Sequence, residues 1–444
     1  MRISTSMIWD SGVATINAQT AALLHLQQQV STGRRIVTPA DDPVAAARAL
    51  EVTQASDVNA QYKTNHDNTK SALGLEEAQL TSIGDLIGRA RELTVQAGNS
   101  TLSASDRRSI ATELRSRFDE LLGLANATDG AGQYLFSGFM GSTKPFGGAV
   151  DQLNLAAANE VTYQGDDGQR RLQVSASRQL EISDSGNDVF KRIPNGNGYF
   201  STGYTAANTG TGVIDAGSIT DPAKWNSATN SKNLEVRFWV DAAGAVGPAN
   251  ATYYDLVDAA TGNSLYTNTA STTGVGGTFS HVYTSNQPIT FTGLNAAFAP
   301  QDFGATINIS GAPASGDVFT LEASSSQSIF KTLANLIGTL ERGAGGVAGS
   351  AKYSSDIGFA LTNLDQANEN ILKVRAEIGS RLSEVDSLGS VNEDLNLQYQ
   401  QTLSALQDLD YAKAISDLSR KQTDLEAAQK SFAKVTQLSL FNYI

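Results

Sequence analysis

The sequence predicts an elongated α+β molecule. Helices from the N- and C-terminal ends form a coiled-coil bundle, and a β-rich domain is inserted between them. Three observations predict it. Glycine and proline are scarce at the two ends and frequent in the middle: Pro313 is the last proline of the 444 residues, and both residue types break helices. Apolar residues recur every seventh position near both ends, the spacing of a coiled-coil seam. The segment from about 195 to 325 reads as short strands between Gly, Asn and Thr turns.

The elements follow in order. Trp9, Ile16, Leu23 and Val30 form the first stripe, with Leu26 in a second seam position. Gly33 is placed to end that helix, with Arg34 and Arg35 near the negative end of its dipole. After Pro39 and Asp41, Asp42 can cap a new helix whose first residue is Pro43, where a missing N–H does no harm. The stretch from Gly33 to Pro43 therefore reads as a stop, an extended connector and a start. The second helix is expected from Pro43 to about Ala97, loosened around Lys63–Thr69, with Leu73, Leu80, Ile83 and Ile87 on one face. A third starts at Ser103 or Ser105 and carries Ile110, Leu114, Phe118, Leu121 and Ala125.

The segment around GDDG (165–168) reads as a β-hairpin, Val161 and Tyr163 answering Leu172 and Val174 across the turn. In the middle, LEVRFWV, TYYDLV, HVY, ITFTGL and ATINI are strand candidates. Helix returns over 326–341, GAGGVAGS (343–350) is a loop, and a long helical region covers about 354–438. Ile371, Val374, Ile378, Leu382, Val385 and Leu388 form its first stripe. Tyr411, Leu418, Leu425 and Phe432 form its second, with Ala414, Ala428 and Val435 beside them. The stripe changes phase between Leu395 and Tyr411, so a break is expected there. Three layers result: 1–38 with 400–444 as a terminal coiled coil, 39–190 with 315–399 as a helical bundle bearing the β-hairpin, and 191–314 as an inserted β-rich domain.

Composition and motifs narrow the chemistry. The formal charge is −13, spread along the chain, which argues against nucleic acid as a partner. There is no cysteine, so disulfide and thiolate chemistry are excluded. No apolar run is long enough to span a membrane. The opening residues lack the pattern of a cleaved secretory signal. His25, His66 and His281 have no second His or Cys at metal-ligand spacing. GAGGVAG lacks the strand and spacing of a dinucleotide loop, and no serine lies in GxSxG. Asp41–Asp42 fits helix capping and Asp166–Asp167 a hairpin turn. Trp225 and Trp239 fit the core or surface of a β-sandwich better than a ligand groove. No enzymatic activity, metal or cofactor is expected. The functional residues are the seam positions Trp9, Ile16, Leu23, Val30, Tyr411, Leu418, Leu425, Phe432 and Val435, with Gly33, Arg34, Arg35, Pro39, Asp41, Asp42 and Pro43 as an interlayer connector. The four large seam residues of the first stripe bury little against the entropy of ordering it. Both ends are therefore expected to order fully only against other subunits.

Several stretches carry a resemblance: LQQQVSTGRRIVTPADDP (26–43), YLFSG (134–138), KPF (144–146), YQGDDGQRR (163–171), SGDVF (315–319), QSIF (327–330) and the end from Leu406, LQDLDYAKAISDLSRKQTDLEAAQKSFAKVTQLSLFNYI. Together they resemble the bacterial flagellin superfamily. TPADDP, where flagellins continue DDAAG, together with the later motifs and the C-terminal stretch, makes the likeness closer to its hook–filament junction branch. The likeness covers roughly 1–190 and 310–444. It implies export through the flagellum's type III channel without cleavage. It implies a C-terminal export chaperone that masks the seam around Ala412–Val435. It also implies a homo-oligomeric ring placed between the neighbouring hook-associated junction protein and flagellin, with terminal helices inside and the β-rich domain outside. A flagellin-type filament subunit is the alternative within the same superfamily.

Overall fold

The computed structural model describes residues 5–148, 161–228, 230–294 and 300–437. The helices are α1 (Thr5–Thr32), α2 (Pro43–Ala97), α3 (Ala104–Ala125), α4 (Gly186–Phe190), α5 (Pro222–Trp225), α6 (Ile329–Arg342), α7 (Gly346–Gln407) and α8 (Tyr411–Gln437). The chain divides into two compact units. One takes residues up to 68, 173–178 and from 384 onward; the other takes 69–172 and 179–383. The expected α+β class, terminal helices with an inserted β-sheet domain, holds.

Within the second unit, local signals set the helix ends. Ser103 and Asp106 cap α3 reciprocally, each side chain accepting the other's backbone N–H, so Ser103 rather than Ser105 is its N-cap. Ser328 accepts the Lys331 N–H at 3.1 Å and starts α6. The expected stripes are buried at Leu73, Leu80, Ile83 and Ile87 on α2, at Ile110, Leu114, Phe118, Leu121 and Ala125 on α3, and at Ile371, Val374, Ile378 and Val385 on α7, whereas Leu382 and Leu388 are half-buried. The stripes close on an aromatic cluster supplied by the loop motifs. Phe330 lies 5.7 Å from Phe118, 5.3 Å from Phe146 and 6.0 Å from Phe190 between ring centroids, and Phe136 meets Phe190 edge-on at 5.1 Å. All five rings are fully buried, so YLFSG, KPF and QSIF each contribute a ring to one core.

The GDDG segment does not turn the expected hairpin. Thr162–Tyr163 pairs with Phe146–Gly147, and Arg171–Ser175 pairs with Arg178–Glu181. The two aspartates are engaged elsewhere. Asp166 Oδ1 accepts the N–H of Phe139 at 2.9 Å and of Gly168 at 2.7 Å. Asp167 takes the Asn187 amide at 3.0 Å and pairs with Arg192. Tyr163 donates its hydroxyl to the Asp166 carbonyl at 2.8 Å. These bonds tie GDDG to the YLFSGF loop instead of folding it on itself.

The inserted domain is antiparallel throughout. One sheet runs Asn263–Ser264, Ala251–Asp258, Asn233–Asp241, Val318–Ala323, Phe200–Tyr204, with His281–Val282 also on 251–258. The other places Pro288–Leu294 and Val213–Ile214 against Pro300–Ser310, with Ser218–Ile219 also on that strand. Every expected strand candidate lies in one of them. Alternation sets the faces: Leu234, Val236 and Phe238 point into a core shared with Phe200, Phe291, Ile307, Phe319 and Leu321. Trp225 belongs to that core, its indole N–H bonded to the Tyr199 carbonyl at 3.1 Å. The domain's entry and exit are adjacent, since Ser324 N–H donates to Tyr199 O at 2.9 Å.

Two helix expectations are corrected. The region Lys63–Thr69 is unbroken helix, because its polar side chains meet strand carbonyls. Asn65 Nδ2 donates to Gln173 O at 2.6 Å, and buried His66 Nε2 to Val174 O at 2.7 Å. GAGGVAGS is only partly loop, since α7 begins at Gly346. The long helical region does break, at Asp408–Asp410, where the phase change placed it.

Candidate assembly surface

The first unit contains both predicted sets of residues, seam and connector. α1 and α8 pack along each other. At one end Trp9 stacks on Phe432, ring centroids 4.9 Å apart at 26°. Gly12 permits this approach: a Cβ there would lie 2.5 Å from Phe432 ring carbons. At the other end Gly33, at φ 69°, ends α1 beneath the Tyr411 hydroxyl. A left-handed conformation at that point favours glycine, which has no Cβ to strain it.

The connector joins two helix breaks. Arg35 N–H donates to Gln407 O at 2.7 Å and Leu409 N–H to Gly33 O at 3.0 Å, around an antiparallel bridge of Arg34 with Asp408. The Arg35 guanidinium reaches the Leu406 carbonyl at 2.9 Å and Asp42 at 3.3 Å. The stop after α1 and the stop after α7 thus hold each other. The connector is a turn rather than extended chain. Asp41 N–H returns to Thr38 O at 3.0 Å, with Pro39 at the second position, where its fixed φ suits a turn. Asp41 Oδ2 accepts the Val37 and Thr38 N–H groups at 2.9 and 2.8 Å, and Oδ1 meets His25 Nε2 at 3.0 Å. Asp42 caps α2 by accepting the Ala45 N–H at 3.0 Å, beyond Pro43. Asp410 does the same for α8 through Lys413 N–H at 3.1 Å.

These bonds set the local electrostatics. The Thr38 N–H above all, then that of Val37 and the His25 ring, hold the Asp41 carboxyl below its ordinary range. The Ala45 N–H, then Arg35, do so for Asp42. A depressed carboxylate stabilises the fold above its unfolded value and stops doing so as pH falls through its folded one. Amides at Val37, Thr38 and Ala45 are therefore expected to stay protected from exchange at neutral pH and lose protection below about pH 4. Asp41→Asn should remove that acid dependence at Val37 and Thr38. Unchanged acid dependence in this variant would contradict the assignment.

The seam is only half closed. Ile16, Leu23, Val30, Leu418, Leu425 and Phe432 are partly buried. Trp9, Tyr411 and Val435 keep 46%, 51% and 49% of their surface exposed, and Ala414 is buried. Met7, Val13, Leu24 and Ile415 on the same helices are also exposed. An apolar cleft of about 500 Å³ opens between the helices beside Gly12, Ile16, Ala428 and Phe432. Two helices in isolation bury one stripe and leave its flanks in water, so this pair can take further apolar helices. Sequence reasoning missed Gly12, the His25–Asp41 contact and the Asp408–Asp410 counterpart of the connector. Asp410 beside the phase change was a legible capping signal; the other two depend on contacts distant in sequence. Among the described residues, no helix is long and apolar enough to cross a membrane.

Residues 3–140 match the family model of the bacterial flagellin N-terminal helical region. The chain is 26% identical over 441 residues to flagellar hook-associated protein 3 of Escherichia coli (strain K12), covering 99% of each. It is 36% identical over 193 residues to the protein of the same name from Salmonella typhimurium, covering 44% of this chain and 58% of that one. The crystal structure of the flagellar junction protein FlgL from Legionella pneumophila superposes with a TM-score of 0.65 at 27% identity, over 81% of this chain and 100% of that one.

Proposed function

Because the chain belongs to the flagellin superfamily, in the branch of hook-associated protein 3, we propose that it is a structural subunit of the bacterial flagellum, exported and seated as an adaptor at the junction of hook and filament. Its work is packing, and it is not an enzyme. The observation that carries the assembly mechanism is the half-closed seam of α1 and α8, with large apolar side chains exposed on both helices. Copies of the chain bury these flanks against one another in a ring. Trp9, Ile16, Leu23, Val30, Tyr411, Leu418, Leu425, Phe432 and Val435 are the contacting residues.

The connector has a separate role. Gly33–Pro43, braced on Gln407–Leu409, fixes where the terminal helices leave α2 and α7. Residues 1–38 with 400–444 form the terminal layer, 39–190 with 315–399 the next, and 191–314 the outermost. The ring's axial neighbours are another hook-associated junction protein and flagellin. Before assembly, an export chaperone covers α8 around Ala412–Val435, the same apolar surface that later meets other subunits.

The absence of cysteine gives a background-free test. Single cysteines at Trp9 and Val435, placed in separate copies that are mixed before assembly, should form a disulfide between copies in assembled flagella and none in the dilute monomer. Assembled flagella that yield no cross-linked pair from these or neighbouring seam positions would overturn the seam reading. Sheared flagella should contain the protein as a scarce component; abundance comparable to the filament protein would overturn the junction role.

A further inference from the structure

The second unit buries two neighbouring acidic residues. Glu76 on α2 is 1% exposed and Asp184, just before α4, is 5% exposed. The backbone N–H of Asp184 donates to Glu76 Oε1 at 3.1 Å. The nearby cation is spent on Asp184: Arg381 of α7 grips it with Nη1 to Oδ2 at 2.9 Å and Nη2 to Oδ1 at 3.0 Å. Arg381 Nε faces Glu181 of the neighbouring strand at 4.0 Å. Gln169 adds an amide bond to Asp184 Oδ1 at 2.9 Å. Arg170 also faces the pair but directs its Nη1 to Gln133 at 2.8 Å.

The charge count decides the protonation. Arg381 makes its bidentate pair with Asp184, so an ionised Glu76 would be a second buried anion whose hydrogen bond from Asp184 is a neutral N–H, with Arg381 and Arg170 acting on it only at longer range. A buried unpaired charge is costly, and a neighbouring carboxylate makes it more so. Burial first, then the Asp184 charge, push Glu76 up to about 8, against the Asp184 N–H, Arg381 and Arg170. The segment beside it is well tied. Ser183 Oγ accepts the Arg170 N–H at 3.1 Å, Gly186 N–H donates to Phe136 O at 3.0 Å, and Asn370 donates to Val189 O at 2.9 Å.

We propose that Glu76 carries its proton at neutral pH and that the uncharged carboxyl lets residues 182–190 stay latched over it onto α2 and α7, so the segment loosens as the medium turns from acidic to mildly alkaline. The sign follows from the raised pKa. Between the ordinary glutamate value and about 8, the latched form holds a proton that the open form has lost. The latch is therefore complete in acid, weakens about tenfold for each pH unit across that interval, and levels off above it.

The test uses the full chain, with infrared titration and hydrogen exchange corrected for intrinsic rates. The expected result has three parts. A protonated-carboxyl carbonyl band is present at neutral pH, fades near pH 8, and is missing in Glu76→Gln. Protection of 182–190 falls about tenfold per pH unit in the natural protein and stays flat in Glu76→Gln. Asp184→Asn, which frees Arg381 to offset Glu76, moves the band's midpoint to lower pH. If Glu76→Gln misfolds, the natural protein and Asp184→Asn carry the test alone. Absence of the band at neutral pH, an unchanged exchange slope in Glu76→Gln, or an unmoved midpoint in Asp184→Asn would overturn the proposal.

Discussion

Leu425→Asp is expected to abolish assembly while leaving the rest of the chain folded. Leu425 lies between Leu418 and Phe432 on the α8 stripe, partly buried in the single chain, on a helix that packs along α1. In the monomer the new carboxylate can still reach water, so the cost there is small. In the proposed ring the same position would be closed by further helices. An unpaired carboxylate without a partner then costs several kcal/mol at every copy. Circular dichroism of the monomer should be close to that of the natural protein. A strain carrying Leu425→Asp should be non-motile, with monomer accumulating outside the cell. Normal motile flagella in that strain would count against the seam.

The second large effect is on stability rather than assembly. Phe330 is fully buried among Phe118, Phe146 and Phe190, where α6 meets α3 and the loop motifs. Removing the ring leaves a cavity that three other rings cannot collapse into, because each is fixed by its own backbone. Phe330→Ala should cost about 3–5 kcal/mol in denaturant unfolding, a large share of the stability of an ordinary domain. Leu425→Asp and Phe330→Ala thus separate two roles: the first spares folding and ends assembly, the second lowers stability throughout. A loss under about 1 kcal/mol for Phe330→Ala would mean that the aromatic cluster is loosely packed.

Much of this fold could be read from the chain because its signals are periodic. The stripes on α2, α3 and α7 repeat at helical spacing, and they are buried where that spacing put them except at Leu382 and Leu388, which are half-buried. The strands alternate, and the inserted domain's core follows the alternation. The misreadings share a cause. Lys63–Thr69 looked like a weak point because its residues are polar, yet Asn65 and His66 find strand carbonyls from residues 173 and 174. GDDG looked like a hairpin turn by local chemistry, yet Asp166 serves Phe139, distant in sequence. TPADDP looked extended because of its prolines, yet Asp41 curls it into a turn. Polar side chains bond to whatever the fold brings near, and periodicity does not encode that.

The assembly surface was partly legible for the same reason. The sevenfold spacing identified Trp9 and Phe432, which stack on each other. Gly12, whose missing side chain lets them do so, carries no periodic signal. The brace between Gly33–Arg35 and Gln407–Leu409 joins segments some 370 residues apart, and only the capping residues at its edges announced it.

Hydrogen exchange compared between free monomer and assembled flagella tests the central claim most directly. Amides in Ile16–Val30 and Leu418–Phe432 should exchange quickly in the monomer and become strongly protected on assembly, while the aromatic core around Phe330 is protected in both. Equal protection of the two terminal segments in monomer and assembly would show that the seam closes on its own chain alone, and would contradict the account.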